Sequence, residues 1–464
     1  MDRRLTAPAP FGIVNFDMGT GERIYIETWG CQMNLHQSEG IDAVLRRAGY
    51  AVVEEMDDAD VVLFNTCLVR QKAEEKVYGR IGAVHKMKRS RPVLLGVGGC
   101  LSQVKGEQLL KRFPVVDFVF GTSGHADLPD LIGAALNGSD GLSKLAPPNR
   151  SIDEVPYRRS GRNTAMITIT EGCSNFCTYC IVPFARGPMR SRAPEGILAE
   201  IQREVEAGYP EILLLGQNVD SYGFDRPEFG RFPELLQRIA ETGPRRIRFT
   251  SSHPRDITPA VLEVIASHTQ ICNHIHLACQ SGSDRILSAM NRGYTRAKFL
   301  ETARAARGMI PGVNLTTDLI VGFPGETEED FADSLRMLEE ARFGSVFVAS
   351  FSPRPGTEAA TMPNPVPEDV KQRRLHEVLD LQRRIALDAN RALVGDTVEI
   401  LVEGNTRQGV GYGRCDDHRT MVLDRHCEQG QFITATISDA SAAALKGEAL
   451  TPIPAGMDVS KGTR

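Results

Sequence analysis

The apolar run AMITIT at residues 165–170 is followed directly by EGCSNFCTYC at residues 171–180. The apolar run predicts a β-strand, and the loop after it contains Cys173, Cys177 and Cys180. Cysteine thiolates hold iron–sulfur clusters, usually four thiolates to a cubane. No fourth cysteine lies nearby in the sequence, so one iron would lack a protein ligand and could bind a small molecule. The loop therefore predicts a 4Fe–4S cluster that takes part in chemistry.

A structural zinc site is the alternative for these three cysteines. Such sites usually have four ligands, and their cysteines usually come as two paired C-x-x-C units. The loop has one such pair, Cys177 and Cys180, and no second pair accompanies it. An iron–sulfur cluster is therefore favoured over zinc.

The same strand opens a series of alternating strands and helices. Helices are predicted between the strands, for example at 194–207, where a proline occupies the first turn, and at 326–340. Six such units in about 190 residues are too few for a closed eight-stranded barrel, so an open, partial (β/α)6 barrel is expected. The six strands are predicted at 165–170, 211–215, 246–251, 274–277, 313–320 and 345–351.

A second α/β region precedes this barrel. Its apolar runs and helical periods predict an open, mainly parallel sheet. The strands are predicted at 24–28, 61–65, 93–97 and 115–120, and the helices at 38–48 and 71–89.

Three further cysteines, Cys31, Cys67 and Cys100, lie just past the carboxyl ends of strands of this sheet. Ligands of parallel α/β sheets bind at that edge. Burial as small hydrophobic residues is the alternative, but three cysteines in equivalent positions favour a second cluster with an open iron. GVGG at residues 96–99 lacks the third glycine of a dinucleotide-binding loop. We interpret these glycines as room for the backbone beside that cluster.

The C-terminal part of the chain changes character after a long polar helix predicted at 367–392. Short strands with glycine-rich turns then predict a small all-β barrel of roughly 60 residues. The strands are predicted at 397–402, 409–413, 421–423 and 432–437. The predicted organisation is a disordered extension (1–22), an N-terminal domain (23–145), a linker (146–162), a central domain (163–392), the small barrel (393–455) and a tail (456–464).

Composition narrows the class of protein. The formal net charge is −5, so contact with a nucleic acid would need local basic patches. Ten cysteines in 464 residues are too sparse for a disulfide scaffold and indicate a reducing, cytoplasmic compartment. Neither a membrane-spanning apolar run nor a secretory signal is recognisable, so no membrane partner is expected.

Several stretches carry a resemblance that covers the chain from residue 23 to about residue 452. The stretches are WGCQMN (29–34), NTCLVR (65–70), AEEKV (73–77), GVGGC (96–100), LLGQNV (214–219), QSGS (280–283) and DLIVGFPGET (318–327). The chain resembles the radical S-adenosylmethionine (SAM) methylthiotransferases, whose small barrel is a TRAM domain. QMN after Cys31 resembles the MiaB branch; the ribosomal-protein branch usually has PKN there, and the threonylcarbamoyladenosine branch has KVN.

The resemblance implies a tRNA-modifying enzyme with two 4Fe–4S clusters and SAM as cofactors. Cys173, Cys177 and Cys180 would hold the cluster that reductively cleaves SAM to a 5′-deoxyadenosyl radical, which takes the hydrogen from carbon two of the adenine. Cys31, Cys67 and Cys100 would hold the auxiliary cluster that delivers sulfur, and a second SAM would donate the methyl group. The cofactors must carry this chemistry because an unactivated aromatic C–H offers no acidity to a side-chain base.

Candidate binding residues for SAM and RNA follow from analogy and from local charge. By analogy with strand ends in this superfamily, the candidate SAM contacts are Gln217, Asn218, His276 and Gln280. Each could equally be an ordinary polar residue near a strand end. Arginines close to the cysteine loop could hold RNA phosphates, and the candidates are Arg186, Arg190 and Arg192. The TRAM region has 6 basic and 9 acidic residues between 391 and 455, a charge of −3 that gives no electrostatic footprint for RNA.

The favoured function is 2-methylthiolation of N6-isopentenyladenosine next to the tRNA anticodon. The alternatives are the same chemistry on threonylcarbamoyladenosine or on a ribosomal-protein aspartate, and an iron–sulfur redox sensor without turnover. Expected partners are the anticodon stem-loop, an electron donor such as a flavodoxin or ferredoxin, and a sulfur source, with the protein acting as a monomer.

Overall fold

The structure is a computed structural model that describes residues 21–68, 71–145, 157–161 and 163–452. Residues 1–20 of the predicted extension and the predicted tail lie outside these ranges. So do the last two residues of the NTCLVR stretch and all of the predicted linker except residues 157–161.

The N-terminal region is a six-stranded, all-parallel sheet flanked by helices. The strand order is β2-β1-β3-β4-β5-β6. Its elements are β1 (Arg23–Trp29), α1 (Gln32–Arg47), β2 (Ala51–Val53), β3 (Val61–Thr66), α2 (Gln71–Lys88), β4 (Leu94–Gly99), α3 (Cys100–Arg112), β5 (Phe118–Phe120), α4 (Leu128–Leu136) and β6 (Leu142–Lys144). Every residue of β3 is buried, as expected for a parallel sheet covered on both faces.

Three details of this sheet differ from the prediction. The edge strands β2 and β6 were not predicted, because three residues are too few to show a period. Helix α1 begins at Gln32 instead of residue 38, directly after Cys31. A Cβ at Gly96 or Gly98 would lie 2.2 or 2.0 Å from the rings of Phe118 and Phe120. Gly96 and Gly98 therefore make room for β5 and not for a cluster, so the interpretation was wrong at these two positions.

The central region confirms the open, partial barrel. Its elements are β7 (Thr164–Thr168), β8 (Thr170–Glu171), α5 (Val182–Arg186), β9 (Arg190–Ser191), α6 (Pro194–Glu206), β10 (Glu211–Leu215), α7 (Phe232–Glu241), β11 (Arg246–Phe249), α8 (Pro259–Ser267), β12 (His274–His276), α9 (Asp284–Ala289), α10 (Arg296–Met309), β13 (Asn314–Val321), α11 (Glu328–Ala341) and β14 (Ser345–Ser350).

The six main strands of this region run parallel in chain order. Two three-stranded sheets, β7-β10-β11 and β12-β13-β14, are joined by the parallel bridges Ile247–Ile271 and Ser252–Leu277. Strands β7 and β14 are not paired with each other in these sheets, so the barrel stays open on that side. The largest apolar core of the protein lies between these strands and the outer helices.

The C-terminal region is a closed five-stranded barrel that follows the long helix α12 (Glu368–Arg391). Its strands are β15 (Thr397–Asn405), β16 (Gly411–Cys415), β17 (Thr420–Leu423), β18 (Phe432–Ala440) and β19 (Leu445–Pro452). Four were predicted; β19, which closes the barrel between β17 and β18, was not. No helix in the described ranges is long and apolar enough to cross a bilayer.

Candidate active site

The loop with Cys173, Cys177 and Cys180 runs from the short ribbon of β8 and β9 to helix α5. The Cys173 backbone N–H donates to the Gly187 carbonyl at 3.1 Å, and the Cys180 N–H donates to the Cys177 carbonyl at 2.9 Å. These bonds close the loop on itself. The structure thus brings the first predicted cysteine set together through local backbone geometry.

A buried arginine faces this loop from a distant part of the barrel. Arg292 Nη1 donates to Cys177 Sγ at 3.2 Å, and Arg292 Nη2 donates to the Ala278 carbonyl at 2.8 Å. Burial raises the pKa of the Cys180 thiol to about 12. A guanidinium in contact with a thiol stabilises the thiolate form that binds metal.

The second predicted set comes from three neighbouring strands. In the sheet order, β1, β3 and β4 lie side by side, and Trp29 pairs with Thr66, which pairs with Gly99. Just beyond this row lie the three cysteines: Cys31, Cys67 and Cys100. Cys31 is the N-cap of α1, and Cys100 is the first residue of α3, so the helix dipoles favour negative charge at both thiols.

Contacts among these residues show that the set converges. A hydrogen bond with Cys67 is the main cause that lowers the pKa of Cys31 to about 5. A Cβ on Gly30 would lie 2.5 Å from Cys67 Cβ, so glycine is needed for the two loops to approach. The side chain of Asn34 donates to the Thr66 carbonyl at 3.4 Å and accepts from Cys31 Sγ at 3.3 Å, which joins α1 to the end of β3.

Helix α5 of the central region packs against the auxiliary cysteine set. Ile181 and Ala185 pack in the same apolar cluster as Cys100, and Arg186 is 4% exposed. Burial opposes the charge of Arg186, yet the neighbouring Cys100 and Cys31 raise its pKa. Only five residues of chain lie between Cys180, the last cysteine of the loop set, and Arg186, which contacts the auxiliary set.

A second arginine of the central region also lies near the auxiliary cysteines. Arg354, in the loop after β14, lies 3.9 Å from Glu74 Oε2 and is 8% exposed. Both Glu74 and Cys67 act to raise its pKa, although burial lowers it overall. The auxiliary cysteines therefore have two guanidinium groups of the central region among their neighbours.

The donor set fits iron–sulfur clusters better than single metal ions. Within the described ranges, no three His, Cys, Asp or Glu side chains are grouped closely enough to share one ion. The thiolates of a cubane each bind a different iron and therefore surround a wider space. Arg186 Nη2 is buried without a hydrogen-bond partner. Arg186 Nη1, in contrast, lies 4.0 Å from Glu171 Oε1. Because a buried donor without a partner is costly, an anionic thiolate-bound cluster would complete the surroundings of Nη2.

Models of three families match the chain in order: Uncharacterized protein family UPF0004 at residues 23–121, the Radical SAM superfamily at 167–338 and the TRAM domain at 391–450. Curated relatives are named tRNA-2-methylthio-N(6)-dimethylallyladenosine synthase. One from Bacteroides thetaiotaomicron is 43% identical over 92% of this chain and 96% of its own length. Another, from Carboxydothermus hydrogenoformans, is 46% identical over 82% of this chain and 88% of its own length.

The chain belongs to the tRNA-2-methylthio-N(6)-dimethylallyladenosine synthase family. Membership confirms the predicted family, the radical SAM enzyme class and the cofactors, two 4Fe–4S clusters and SAM.

Solved structures share the fold of this synthase-family chain. The radical SAM methyltransferase TsrM from Kitasatospora setae, with cobalamin and a [4Fe–4S] cluster bound, matches with a TM-score of 0.57 at 14% identity, over 73% of this chain and 74% of its own. The cobalamin-dependent enzyme OxsB matches with a TM-score of 0.53 at 14% identity, over 78% and 56%. At this identity the likeness concerns the fold alone.

Two of the predicted SAM contacts lie at the carboxyl end of β10. Asn218 Nδ2 donates to Asp256 Oδ2 at 2.6 Å, while Asn218 Oδ1 and Gln217 Oε1 are buried without hydrogen-bond partners. Arg255 connects this group to the cysteine loop, because its Nη2 donates to Asn175 Oδ1 at 2.7 Å. The two orphaned oxygens are suited to a polar ligand, and a SAM contact there stays a prediction.

The other two predicted SAM contacts lie elsewhere in the barrel. Gln280 has a left-handed backbone (φ 69°), and its carbonyl accepts from the Ile320 N–H at 2.9 Å. His276 lies on the inner face of β12, with Nε2 3.0 Å from Asp318 Oδ2. The structure therefore places His276 with residues of the barrel interior.

The predicted RNA contacts include two buried side chains. Arg192 Nη1 donates to Glu200 Oε2 at 2.7 Å, and Arg186 lies among the auxiliary cysteines, so both guanidinium groups face protein in this conformation. Arg190 is more accessible and pairs with Glu171 at 2.8 Å. A contact with an RNA phosphate stays a prediction. Of the three arginines, Arg190 is the most accessible for it.

The sequence analysis missed the arginines that face the two cysteine sets from a distance, Arg292 and Arg354. Neither follows a ligand spacing, and both are far from the cysteines in sequence. Only the packing of the loops after α9 and β14 brings them to the cysteine sets.

Proposed function

We propose that this protein converts N6-isopentenyladenosine next to the tRNA anticodon to its 2-methylthio derivative, using radical SAM chemistry for sulfur insertion and methyl transfer. The observation that carries the proposal is the pairing of two separate cysteine sets through helix α5 in a member of this synthase family. A sensor would need one cluster; two adjoining open clusters suit a reaction with an initiating step and a sulfur-delivering step.

Each cysteine set has its own role in this proposal. Cys173, Cys177 and Cys180 hold one 4Fe–4S cluster and leave an iron for SAM. The second cluster is held by Cys31, Cys67 and Cys100. When bound, the clusters and SAM supply the one-electron chemistry, the sulfur and the methyl group that side chains cannot provide. The protein orients these groups, and Arg292, Arg186 and Arg354 place positive charge beside the thiolates.

The proposed division of labour follows the three regions. Residues 23–145 hold the auxiliary cluster, residues 163–392 bind SAM and the reacting base, and residues 393–455 contact the tRNA. The excess of acidic residues in the TRAM region is compatible with this role, because at least one of its carboxylates pairs with arginines of the central region. Glu399 pairs with Arg245 at 2.9 Å and with Arg246 at 3.2 Å, so that carboxylate does not confront the RNA.

The remaining partners follow from the chemistry. A low-potential donor such as a flavodoxin or ferredoxin supplies electrons, and a separate sulfur source replenishes the sulfur that is inserted. The protein acts as a monomer in the cytoplasm, where ten free thiols would stay reduced.

The test is an anaerobic assay with reconstituted protein, SAM, a strong reductant and tRNA that carries isopentenyladenosine. Digested nucleosides and 5′-deoxyadenosine are measured by mass spectrometry. The methylthio nucleoside is the expected product.

The other outcomes separate the alternatives. Formation of 5′-deoxyadenosine without that nucleoside would keep the radical chemistry and reject the substrate. The same assay with threonylcarbamoyladenosine tRNA and with the ribosomal protein would then identify the acceptor. If protein that holds its full iron releases no 5′-deoxyadenosine, the enzymatic function is contradicted and the redox-sensor alternative is favoured.

A further inference from the structure

The inner faces of β12, β13 and β14 carry a group of side chains that the cysteine sites do not use, and two of its members, Asp318 and Phe347, are accessible. His276 is opposite Thr316 in the strand register, and Asp318 is opposite Phe347. Their sequence neighbours, such as Ile275, are buried in the core beneath the outer helices. Side chains alternate across a strand. The side chains that point into the barrel are therefore those of His276, Thr316, Asp318 and Phe347.

Hydrogen bonds fix the imidazole in this group. His276 Nδ1 lies 3.1 Å from Thr316 Oγ1, and Nε2 lies 3.0 Å from Asp318 Oδ2. The Asp318 side chain is 43% exposed. A positioned carboxylate with open access can accept a hydrogen bond from a ligand N–H.

Phe347 adds an apolar surface beside this polar pair. Its side chain is 50% exposed, and its ring centroid lies 5.7 Å from that of His276. Strand β14 lines the open side of the barrel, so a ligand can reach the ring from outside. Aromatic rings bind both flat bases and hydrocarbon chains.

The wall of His276, Asp318 and Phe347 lies between the cysteine loop and the base of the barrel. Further along β13, Ile320 packs against the same apolar cluster as Tyr179 of the cysteine loop. In the other direction, His274 stacks on His418 of the terminal barrel at 4.5 Å between centroids. A base on this wall would therefore face the end of the barrel where the radical chemistry is expected.

We propose that this wall receives the N6-substituted adenine of the tRNA and selects its substituent. Asp318, held by His276, accepts the N6–H, and Phe347 contacts the isopentenyl hydrocarbon. This inference rests on the proposed function, of which it names the specificity-determining residues. A base that lacks the isopentenyl group would keep the hydrogen bond and lose the apolar contact.

The test compares two anticodon stem-loops, one with isopentenyladenosine and one with adenosine at the modified position. The ratio of their kcat/KM values measures discrimination. Phe347→Ala should lower this ratio about tenfold, at the lower end of what a pocket contact contributes, and Phe347→Leu should retain most of it. Asp318→Ala should lower kcat/KM for both stem-loops by a similar factor, because both bases carry an N6–H.

Leu379→Ala on helix α12 is the matched control. It also truncates an exposed apolar side chain, 40% accessible, and should leave the ratio unchanged. Binding of both stem-loops to each variant, measured by fluorescence anisotropy, should show the same change without turnover.

The outcomes keep the two proposals apart. If wild-type protein discriminates between the two stem-loops and Phe347→Ala leaves the kcat/KM ratio unchanged, the proposed role of the wall is wrong. The proposed function would still hold. Wild-type protein that makes no methylthio product from either stem-loop would instead overturn the proposed function.

Discussion

The two cysteine sets of this protein provide three thiols each and assemble them in opposite ways. Cys173, Cys177 and Cys180 lie in one loop that its own backbone hydrogen bonds close. Cys31, Cys67 and Cys100 are brought together by three adjacent strands of a sheet, and by loops in which Gly30 permits the approach. The first site is a local structure, and the second exists only once the sheet has formed.

The sets also differ in where their counter-charges originate. The loop set meets Arg292 from its own region. The auxiliary set meets Arg186 and Arg354, both from the central region. The auxiliary site therefore depends on the docking of two regions, whereas the loop site does not.

Removal of one thiol from each set tests the comparison with the largest effect. Cys177→Ala should abolish release of 5′-deoxyadenosine. Cys67→Ala should spare that release and abolish methylthiolation, because it affects only the auxiliary site. Mass spectrometry of both products in one reaction gives the answer, and methylthiolated product from Cys67→Ala would break the assignment of the two sets.

Removal of the counter-charges sharpens the comparison. Arg186→Gln, placed in a Cys177→Ala background that keeps only the auxiliary cluster, should lower its reduction potential, because loss of a buried positive charge disfavours the reduced cluster. Arg292→Gln in a Cys67→Ala background should do the same to the other cluster. Redox titrations followed by electron paramagnetic resonance measure both potentials. The exchanged combinations are the controls. Arg186→Gln in the Cys67→Ala background and Arg292→Gln in the Cys177→Ala background should change the potential of the remaining cluster less.

A backbone test follows, with an intermediate effect. Gly30 has φ 142°, and its Cβ would collide with Cys67, so Gly30→Ala should cost about 2 kcal/mol of unfolding free energy. It should also reduce the iron held by the auxiliary site. Gly133→Ala in α4 is the control: nothing lies within 4 Å, and the change should stabilise the protein by about 0.5–1 kcal/mol. Urea unfolding and iron analysis compare the two; equal stability would refute the strained approach of the loops.

The smallest effect is expected far from both cysteine sets, where the terminal barrel meets the central one. Burial lowers the pKa of His418 to about 2 and that of His274 well below its ordinary value. The unfolded chain binds these protons below about pH 6.5 and the folded chain does not. Stability should therefore be fully present above pH 6.5 and fall by about 1 kcal/mol per histidine at pH 5.5.

The measurement is urea unfolding at pH 7.5 and 5.5. His418→Asn should reduce the pH dependence, since asparagine tolerates the left-handed backbone at this position (φ 71°). The ratio of iron in the two cysteine sites should be the same at both pH values, because neither histidine contacts them. A pH-independent midpoint in wild-type protein would contradict the buried neutral pair.

Features that depend on local order along the chain could be predicted from the residues alone. The spacing of Cys173, Cys177 and Cys180 predicted a cluster loop, and the alternation of apolar runs predicted the six-stranded partial barrel. Cys31, Cys67 and Cys100 were also found, because each follows a recognisable strand. Short elements such as β2, β6 and β19 escaped prediction, since a few residues carry no clear period.

The contacts between side chains that are distant in sequence are visible only in the folded structure. It placed Arg186 among the auxiliary cysteines instead of on a surface for RNA, and it brought Arg292 to Cys177. It also set Phe347 opposite Asp318 on the inner face of the barrel. Contacts of this kind depend on strand order, register and helix packing, and these follow from burial of apolar surface across the whole chain and not from any local spacing.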